Sequence, residues 1–364
     1  MSSKLSAADA GPATGWVASL SPWPEEFGLG RIRALLARLG NPERRYPSIH
    51  VVGTNGKSTA TRTIAALLRA EGRRPGAYTS PHVSGWAERI WVDGAEASFE
   101  RAVARVKPEA VAVGATQFEA LTAAALTEFA ECEIDVAVVE AGLGGRLDAT
   151  NVVDASIVLL TNVSLDHTEV LGDTPEQIAC EKLAVAHAAR VVVLPDNRYA
   201  DLARKLSPKG AEITTGGARE AAEAWLGRST DREVTAALPG RLERRGRELW
   251  DGAHNPAGTA WLRGQVTGPF DVVVASILSD HYEERMLVDL AALAPRLIAT
   301  QSGNPRALPA DVLADRARPH FASVQVEPDP YRALDRARES TEGTILLTGS
   351  LYLLADLFRQ PPTQ

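Results

Sequence analysis

The chain has 364 residues, 45% of them apolar and 23% charged, with a formal net charge of −7. That length favours two domains with separate cores, the composition fits an ordinary globular protein, and the acidic balance argues against non-specific binding to nucleic acid or an anionic membrane, both of which need a cationic face. Only Cys132 and Cys180 are present, neither with a neighbour at metal-ligand spacing, so reduced, buried thiols in a cytoplasmic protein are expected and no metal–thiolate site.

Met1 to Gly15 is made largely of Ala, Ser and Gly, lacks a continuous apolar core and reads as a frayed tail rather than a signal peptide. No later stretch approaches a membrane span. Ile32, Leu35, Leu36 and Leu39 recur at helical spacing up to the stop signal Gly40. From His50 to Thr59 the chain reads HVVGTNGKST: an apolar strand breaks into a glycine loop, which opens a helix over Lys57 to Glu71 with Gly72 beyond its end. Pro75 to Ser80 is a short strand. Phe118, Leu121, Ala125 and Phe129 mark a helix over Thr116 to Glu131, and Ile134 to Val139 is a continuous apolar run suited to a buried parallel strand that ends on Glu140. A loop over Ala141 to Asp148 leads to a second buried strand, Ala155 to Leu160.

Thr174-Pro175-Glu176-Gln177 combines a threonine N-cap, proline at the first helical position and glutamine at the third, and starts a helix carrying Glu181 and Lys182. Arg190 to Leu194 is a further strand, and 196–238 is weakly patterned, with one helix over Ala218 to Leu226. A domain boundary is placed near Pro239 to Arg247. Beyond it strand and helix alternate from Glu248 to Phe358, which predicts a small doubly wound α/β domain after a larger α/β one.

A glycine loop between strand and helix turns successive N–H groups inward, sets a lysine ammonium among them and sits at the positive end of a helix dipole, so it suits a polyphosphate. Neither Val51 nor Val52 supplies the first glycine of the usual pattern, which leaves a short GTNGKS variant; a surface turn is the alternative, and the strand-before, helix-after context weighs against it. Glu140 stands at a strand end, where an acid that orders a magnesium ion would sit, or a merely solvated carboxylate. Asp166 and His167 follow the next strand, and parallel neighbours could bring Glu140 and His167 to one rim. Lys182, with Ile178, Cys180 and Leu183 nearby, reads by periodicity as a snorkelling surface lysine. Asp251-Gly252-Ala253-His254-Asn255-Pro256 spans a strand end, a turn and a helix start, a crevice position that often binds ligands in open α/β sheets.

Seven of these pieces occur in register: GTNGKST at 53–59, TSPH at 79–82 with ERI at 88–90, EAGLGGRLDATN at 140–151, LDHTEVLG at 165–172, EK at 181–182, PGR at 239–241 and DGAHNP at 251–256. Together they resemble the folylpolyglutamate synthase and dihydrofolate synthase family, within the wider Mur ligase superfamily, over nearly the whole chain. Beyond the tail at 1–15, the resemblance implies a larger P-loop ATPase-type domain over 16–240 and a smaller Rossmann-like glutamate-ligase domain over 241–364. It further implies that Lys57, with Thr54, Asn55, Gly56, Ser58 and Thr59, holds the ATP phosphates, and that Arg241, Asp251 and His254 contact ATP. Ser80, Glu140 and His167 fall on magnesium-ligand positions. Lys182 falls on a lysine that the family carbamylates with carbon dioxide to bind a second magnesium. Lys57, His167 and Lys182 are thereby the implied catalytic set. Glu26, Phe27 and Gly28, Phe118 with Glu119, and Leu147 with Asp148 match the pterin-side positions.

The implied reaction is ATP-dependent ligation of L-glutamate to dihydropteroate, to folates, or to both, through an acyl phosphate, by a cytoplasmic monomer with small-molecule partners and no nucleic acid or membrane. The sequence departs from the family pattern in three places: Glu26 replaces an aspartate, Arg219-Glu220-Ala221 replaces Arg-Glu-Asn in a shortened segment, and Asp280-His281-Tyr282 replaces Asp-Lys-Asp. No adenine-side asparagine is therefore assigned. A muramyl ligase is disfavoured because only 52 residues precede Gly53. A nucleotide switch would want an Asn-Lys-x-Asp motif that the chain lacks, and a nucleotide-free structural protein would not collect polar residues at strand ends.

Overall fold

A computed structural model describes residues 11–267, 269–279 and 282–359. The chain forms two compact units, one of residues 11–82 with 86–236 and the other of 237–359 with 83–85. The division expected from the sequence lies after residue 240; the units part after residue 236. Asp280 and His281, the centre of one departure from the family pattern, lie outside the described residues.

In the first unit, strands β1 (Ser48–Val52), β2 (Pro75–Tyr78), β3 (Ile90–Val92), β4 (Ala95–Glu96), β5 (Val136–Glu140), β6 (Ile157–Leu160), β7 (Val191–Leu194) and β8 (Glu212–Thr215) form one sheet in the order β4-β3-β2-β5-β1-β6-β7-β8. The pairs from β2 to β8 are parallel, while β3 and β4 add an antiparallel edge. Helices α1 (Pro12–Ser19), α2 (Gly30–Arg38), α3 (Lys57–Ala70), α4 (Phe99–Val113), α5 (Gln117–Glu131), α6 (Thr168–Leu171), α7 (Pro175–Leu183), α8 (Ala200–Leu206) and α9 (Ala218–Leu226) cover it. Side chains alternate along β1: Ile49 and Val51 join the core beneath α3 and α9, while Val52 joins the core beneath α2, α4 and α5.

Helix α1 takes in Pro12 to Gly15, residues expected to belong to a frayed tail. Proline opens the helix, Ala13, Thr14 and Val17 are buried, and the Glu100 carboxylate accepts the N–H groups of Ala13 (3.0 Å) and Thr14 (3.4 Å) at its positive end. The remainder of that tail up to residue 10 lies outside the described residues. The two cysteines are free and half-buried rather than buried. No helix among the described residues is long and apolar enough to cross a membrane.

The second unit carries β9 (Glu243–Arg245), β10 (Glu248–Trp250), β11 (Val272–Ala275), β12 (Arg296–Ala299), β13 (Ser323–Val326) and β14 (Ile345–Thr348) in the order β13-β12-β11-β14-β10-β9, parallel except for β9. Leu262 of α10 (Pro256–Gln265), Leu287 of α11 (Glu283–Ala291) and Leu313 of α12 (Ala310–Ala317) pack in one core. Leu334 of α13 (Pro330–Ser340) and Leu353 of α14 (Leu351–Phe358) pack in the other. The smaller doubly wound domain is thus present, extended by one antiparallel edge strand.

One imidazole stands among the aliphatic side chains of β1. Burial, followed by the charge of His187, pushes His50 from 6.5 down to about 3. The folded protein therefore leaves this ring neutral where the unfolded chain protonates it, so the stability it contributes is present above pH 6.5 and is lost as the pH falls toward 3, at up to about 1.4 kcal/mol per pH unit. Urea midpoints measured from pH 7 to pH 4 should fall more steeply for the wild type than for His50→Gln.

Candidate active site

The loop after β1 is shaped by what lies behind it. Gly53 has φ of 149°, and a Cβ there would overlap Thr161 Oγ1. The loop is sewn to the segment that leaves β6. Thr54 N donates to Asn162 O at 3.1 Å, Asn55 N to Asn162 Oδ1 at 2.9 Å, and Thr161 Oγ1 to Asn55 O at 2.7 Å. Thr54 Oγ1 donates to Ser164 O at 3.2 Å and accepts from Ser164 N at 3.1 Å. This stitching holds the loop without the first glycine of the usual pattern. Gly56, at φ 77°, is the N-cap of α3, so Lys57, Ser58 and Thr59 form its first turn, whose N–H groups have no partner within the helix.

Two ammonium groups hang on successive carbonyls of this loop. Lys57 Nζ donates to Thr54 O at 3.1 Å, and Lys182 Nζ to Gly53 O at 2.9 Å. Lys182 is only 4% exposed, so it is not the surface lysine that helical periodicity suggests; α7 turns it inward together with Ile178, Ala179 and Leu183. Burial, and then the positive charge of Lys57, push it down to about 7, against the opposing charges of Asp166, Asp148 and Glu181. The capping box expected at Thr174 and Gln177 is formed, and it sets the start of this helix.

Glu140 ends β5 opposite Val51 and is buried. Its Oε1 accepts from Ser58 Oγ and its Oε2 from Ser80 N, each at 3.0 Å, so one carboxylate joins the loop helix to the segment after β2. His167 stands apart in its chemistry. It is the N-cap of α6 at φ 49°, its side chain is 41% exposed, and its Nε2 lies 3.7 Å from Asp166 Oδ1. The strands before Glu140 and His167 are not neighbours, as their parallel pairing would require: β1 lies between β5 and β6 and pairs with both. Among the described residues no three His, Cys, Asp or Glu side chains gather into a metal cage. Magnesium on a nucleotide does not need one, because it takes one or two protein carboxylates and completes its shell with phosphate oxygens and water. The Glu140 carboxylate with the Ser58 hydroxyl fits that requirement.

The substrate-side residues fall into three groups. Gly142 lies so close to Phe118 that a Cβ would come 2.5 Å from its ring, and Tyr78 packs on the same ring at 6.1 Å. Asp148 is buried, which raises its carboxyl above the usual range, and Leu147 beside it is exposed. Glu26 and Phe27 are exposed and Gly28 half-buried, with Trp23 and Phe27 rings 6.2 Å apart. Glu119 differs: its Oε2 accepts from Thr116 N, Thr116 Oγ1 and Arg31 Nε, each at 2.8 Å, so its carboxylate is committed to capping α5.

In the second unit, Asp251 follows β10 and is buried. Its Oδ1 accepts from Ala253 N and its Oδ2 from Leu242 N, both at 2.9 Å, and burial raises its carboxyl. His254 Nδ1 donates to Gly252 O at 2.8 Å, Arg241 Nη1 donates to Gly240 O at 3.1 Å, and Asn255 caps α10 through Gly258 N. Thr161, Asn162 and Ser164 are the functional neighbours the sequence reading passes over. Their only signal is a polar run at the end of a buried strand.

Residues 51–237 match the Mur ligase middle domain. The dihydrofolate synthase/folylpolyglutamate synthase of Mycobacterium tuberculosis is 31% identical, with 88% of this chain and 83% of that protein covered. Escherichia coli FolC in complex with DHPP and ADP superposes with a TM-score of 0.83 at 27% identity, covering 96% of this chain and 97% of that one. A bifunctional folylpolyglutamate synthase/dihydrofolate synthase with Mn, AMPPNP and L-glutamate bound gives 0.82 at 27% identity, covering 96% and 98%.

Proposed function

The chain belongs to the Mur ligases and, within them, to the dihydrofolate synthase/folylpolyglutamate synthase family, and on that premise we propose that it joins L-glutamate to dihydropteroate or a folate by an ATP-driven amide bond. The observation that carries this reading is the convergence of Lys57, Lys182 and the Ser58–Glu140 pair on one glycine loop. The family resemblance supplies the substrates, and the ligands carried by the two solved structures support them.

A carboxylate oxygen of the pteroate or folate attacks the γ-phosphorus of ATP, and the bridging oxygen leaves with ADP. The glutamate amine then attacks the acyl carbon of the resulting acyl phosphate, phosphate departs, and the amine proton is lost. Lys57 and the first-turn N–H groups of α3 neutralise charge spread over the phosphate oxygens during the first step. Magnesium, which Ser58, Ser80, Glu140 and His167 would hold, supplies further positive charge to those oxygens when bound. Lys182 is offered as a carbamate: its neutral amine would add to carbon dioxide with loss of one proton, and the resulting anionic oxygen would hold a second magnesium. The family resemblance offers Arg241, Asp251 and His254 as ATP contacts. Glu26, Phe27, Gly28, Phe118, Leu147 and Asp148 face the pterin, with Glu119 holding the α5 start behind Phe118. The reading carries with it a cytoplasmic monomer.

Phosphate release by the purified chain with ATP and magnesium tests it, comparing glutamate plus dihydropteroate with glutamate plus tetrahydrofolate. Glutamate-dependent release with at least one pterin is expected. Release with tetrahydrofolate alone would restrict the activity to folylpolyglutamate synthesis, and silence with both would overturn the assignment.

A further inference from the structure

A buried polar chain runs from β1 to Asp148 in the loop after β5, and its first two members, His50 and Thr150, have no part in the reaction proposed above. His50 is fully buried, and its Nε2 lies 2.9 Å from Thr150 Oγ1. Thr150, fully buried as well, donates its hydroxyl to Asp148 Oδ1. With the hydroxyl proton committed to the carboxylate, the oxygen meets His50 as an acceptor, and the imidazole carries its proton on Nε2. His50 Nδ1 agrees with this tautomer: it is buried with no partner, and a proton there would be an orphan donor.

Asp148 in turn closes its own loop. Oδ2 accepts from Leu143 N at 2.7 Å and Oδ1 from Thr150 N at 3.0 Å. That loop has little room to shift. It meets the Phe118 ring at Gly142, and at Gly145 a Cβ would come 2.6 Å from the carbonyl oxygen of Lys182. An aliphatic residue would fill the place of His50 without leaving a buried nitrogen unpaired, as Val51 and Val52 do next to it, but it would give Thr150 no donor.

We propose that His50 is a positioning residue for the pterin-side loop: through Thr150 it fixes the Asp148 carboxylate, and with it Gly142 against Phe118 and the exposed Leu147. This rests on the function proposed above. The phosphate loop is held separately, by Thr161, Asn162 and Ser164, so a fault in the His50 chain should spare ATP.

Initial rates of the full chain, with pterin substrate and ATP varied in turn, give the test for His50→Leu, Thr150→Val, the double variant and His50→Gln. The pterin KM should rise about tenfold in either single variant, with the ATP KM within about twofold. The double variant should be no worse than about either single one, because both break one chain. His50→Gln, whose amide offers a donor near Nε2, should return the pterin KM to within about threefold of wild type. An unchanged pterin KM in Thr150→Val, or an ATP KM rising in step, overturns the proposal. If His50→Leu does not fold, Thr150→Val, near-isosteric and on the loop rather than on β1, decides alone. A wild type silent with both pterins defeats the assigned reaction and this proposal with it; an active wild type with normal variants defeats the proposal alone.

Discussion

Replacing Lys57 by methionine is expected to lower kcat/KM for ATP by about a thousandfold or more while leaving the melting midpoint within a few degrees of wild type. The loss is large because the ammonium sits where charge builds on transferring phosphate oxygens, and removing one neutral donor from such a place already costs about a hundredfold. The fold should tolerate the change. Lys57 is half-buried and donates to Thr54 O, which an apolar side chain of similar length leaves open to water. Lys57→Arg should recover little, since a planar fork cannot stand in for a point charge folded back over its own loop. Steady-state phosphate release with a thermal melt on the same samples checks both halves; activity within about tenfold of wild type would remove Lys57 from the phosphate site.

The local part of this site is legible in the chain. Gly56 before Lys57, the Thr174 capping box and the apolar runs ending at Val52 and Glu140 are signals carried within a few residues, and each has its structural counterpart. What the sequence leaves out is contact between distant segments. Lys182 reads as a surface residue because periodicity reports which helix face is apolar and not that an aliphatic stem can cross the core to a carbonyl 129 residues away. The place of β1 between β5 and β6 is likewise a matter of strand order, which sequence order does not give. Helix α4 is passed over although Ser98 caps it and Gly114 ends it at φ 64°, because Pro108 lies inside it and proline reads as a break. Glu119 is a converse case: its position matches a substrate residue, and its carboxylate accepts from Thr116 and Arg31, contacts that no local pattern announces.

Lys182→Met should depress glutamate-dependent phosphate release by about a hundredfold, with the ATP-loop geometry preserved. Both the cation and the carbamate readings of Lys182 predict a loss, so the substitution alone does not choose between them; pH and carbon dioxide do. Addition to carbon dioxide requires the neutral amine. With burial and Lys57 holding the group at about 7 rather than 10.5, a useful fraction is neutral at physiological pH, and that fraction falls as the pH drops through 7. A carbamate therefore makes the wild-type rate decline on the acid side of about pH 7 and recover with added bicarbonate, whereas a lysine acting as a cation would gain its working form on that same side. Degassed, bicarbonate-free buffer should reproduce the loss seen in Lys182→Met and should have no further effect on that variant. A carbon-13 carbamate resonance, present in wild type supplied with labelled bicarbonate and missing from Lys182→Met, identifies the group directly. Full activity without bicarbonate would exclude the carbamate and leave Lys182 as an unmodified side chain bound to Gly53 O.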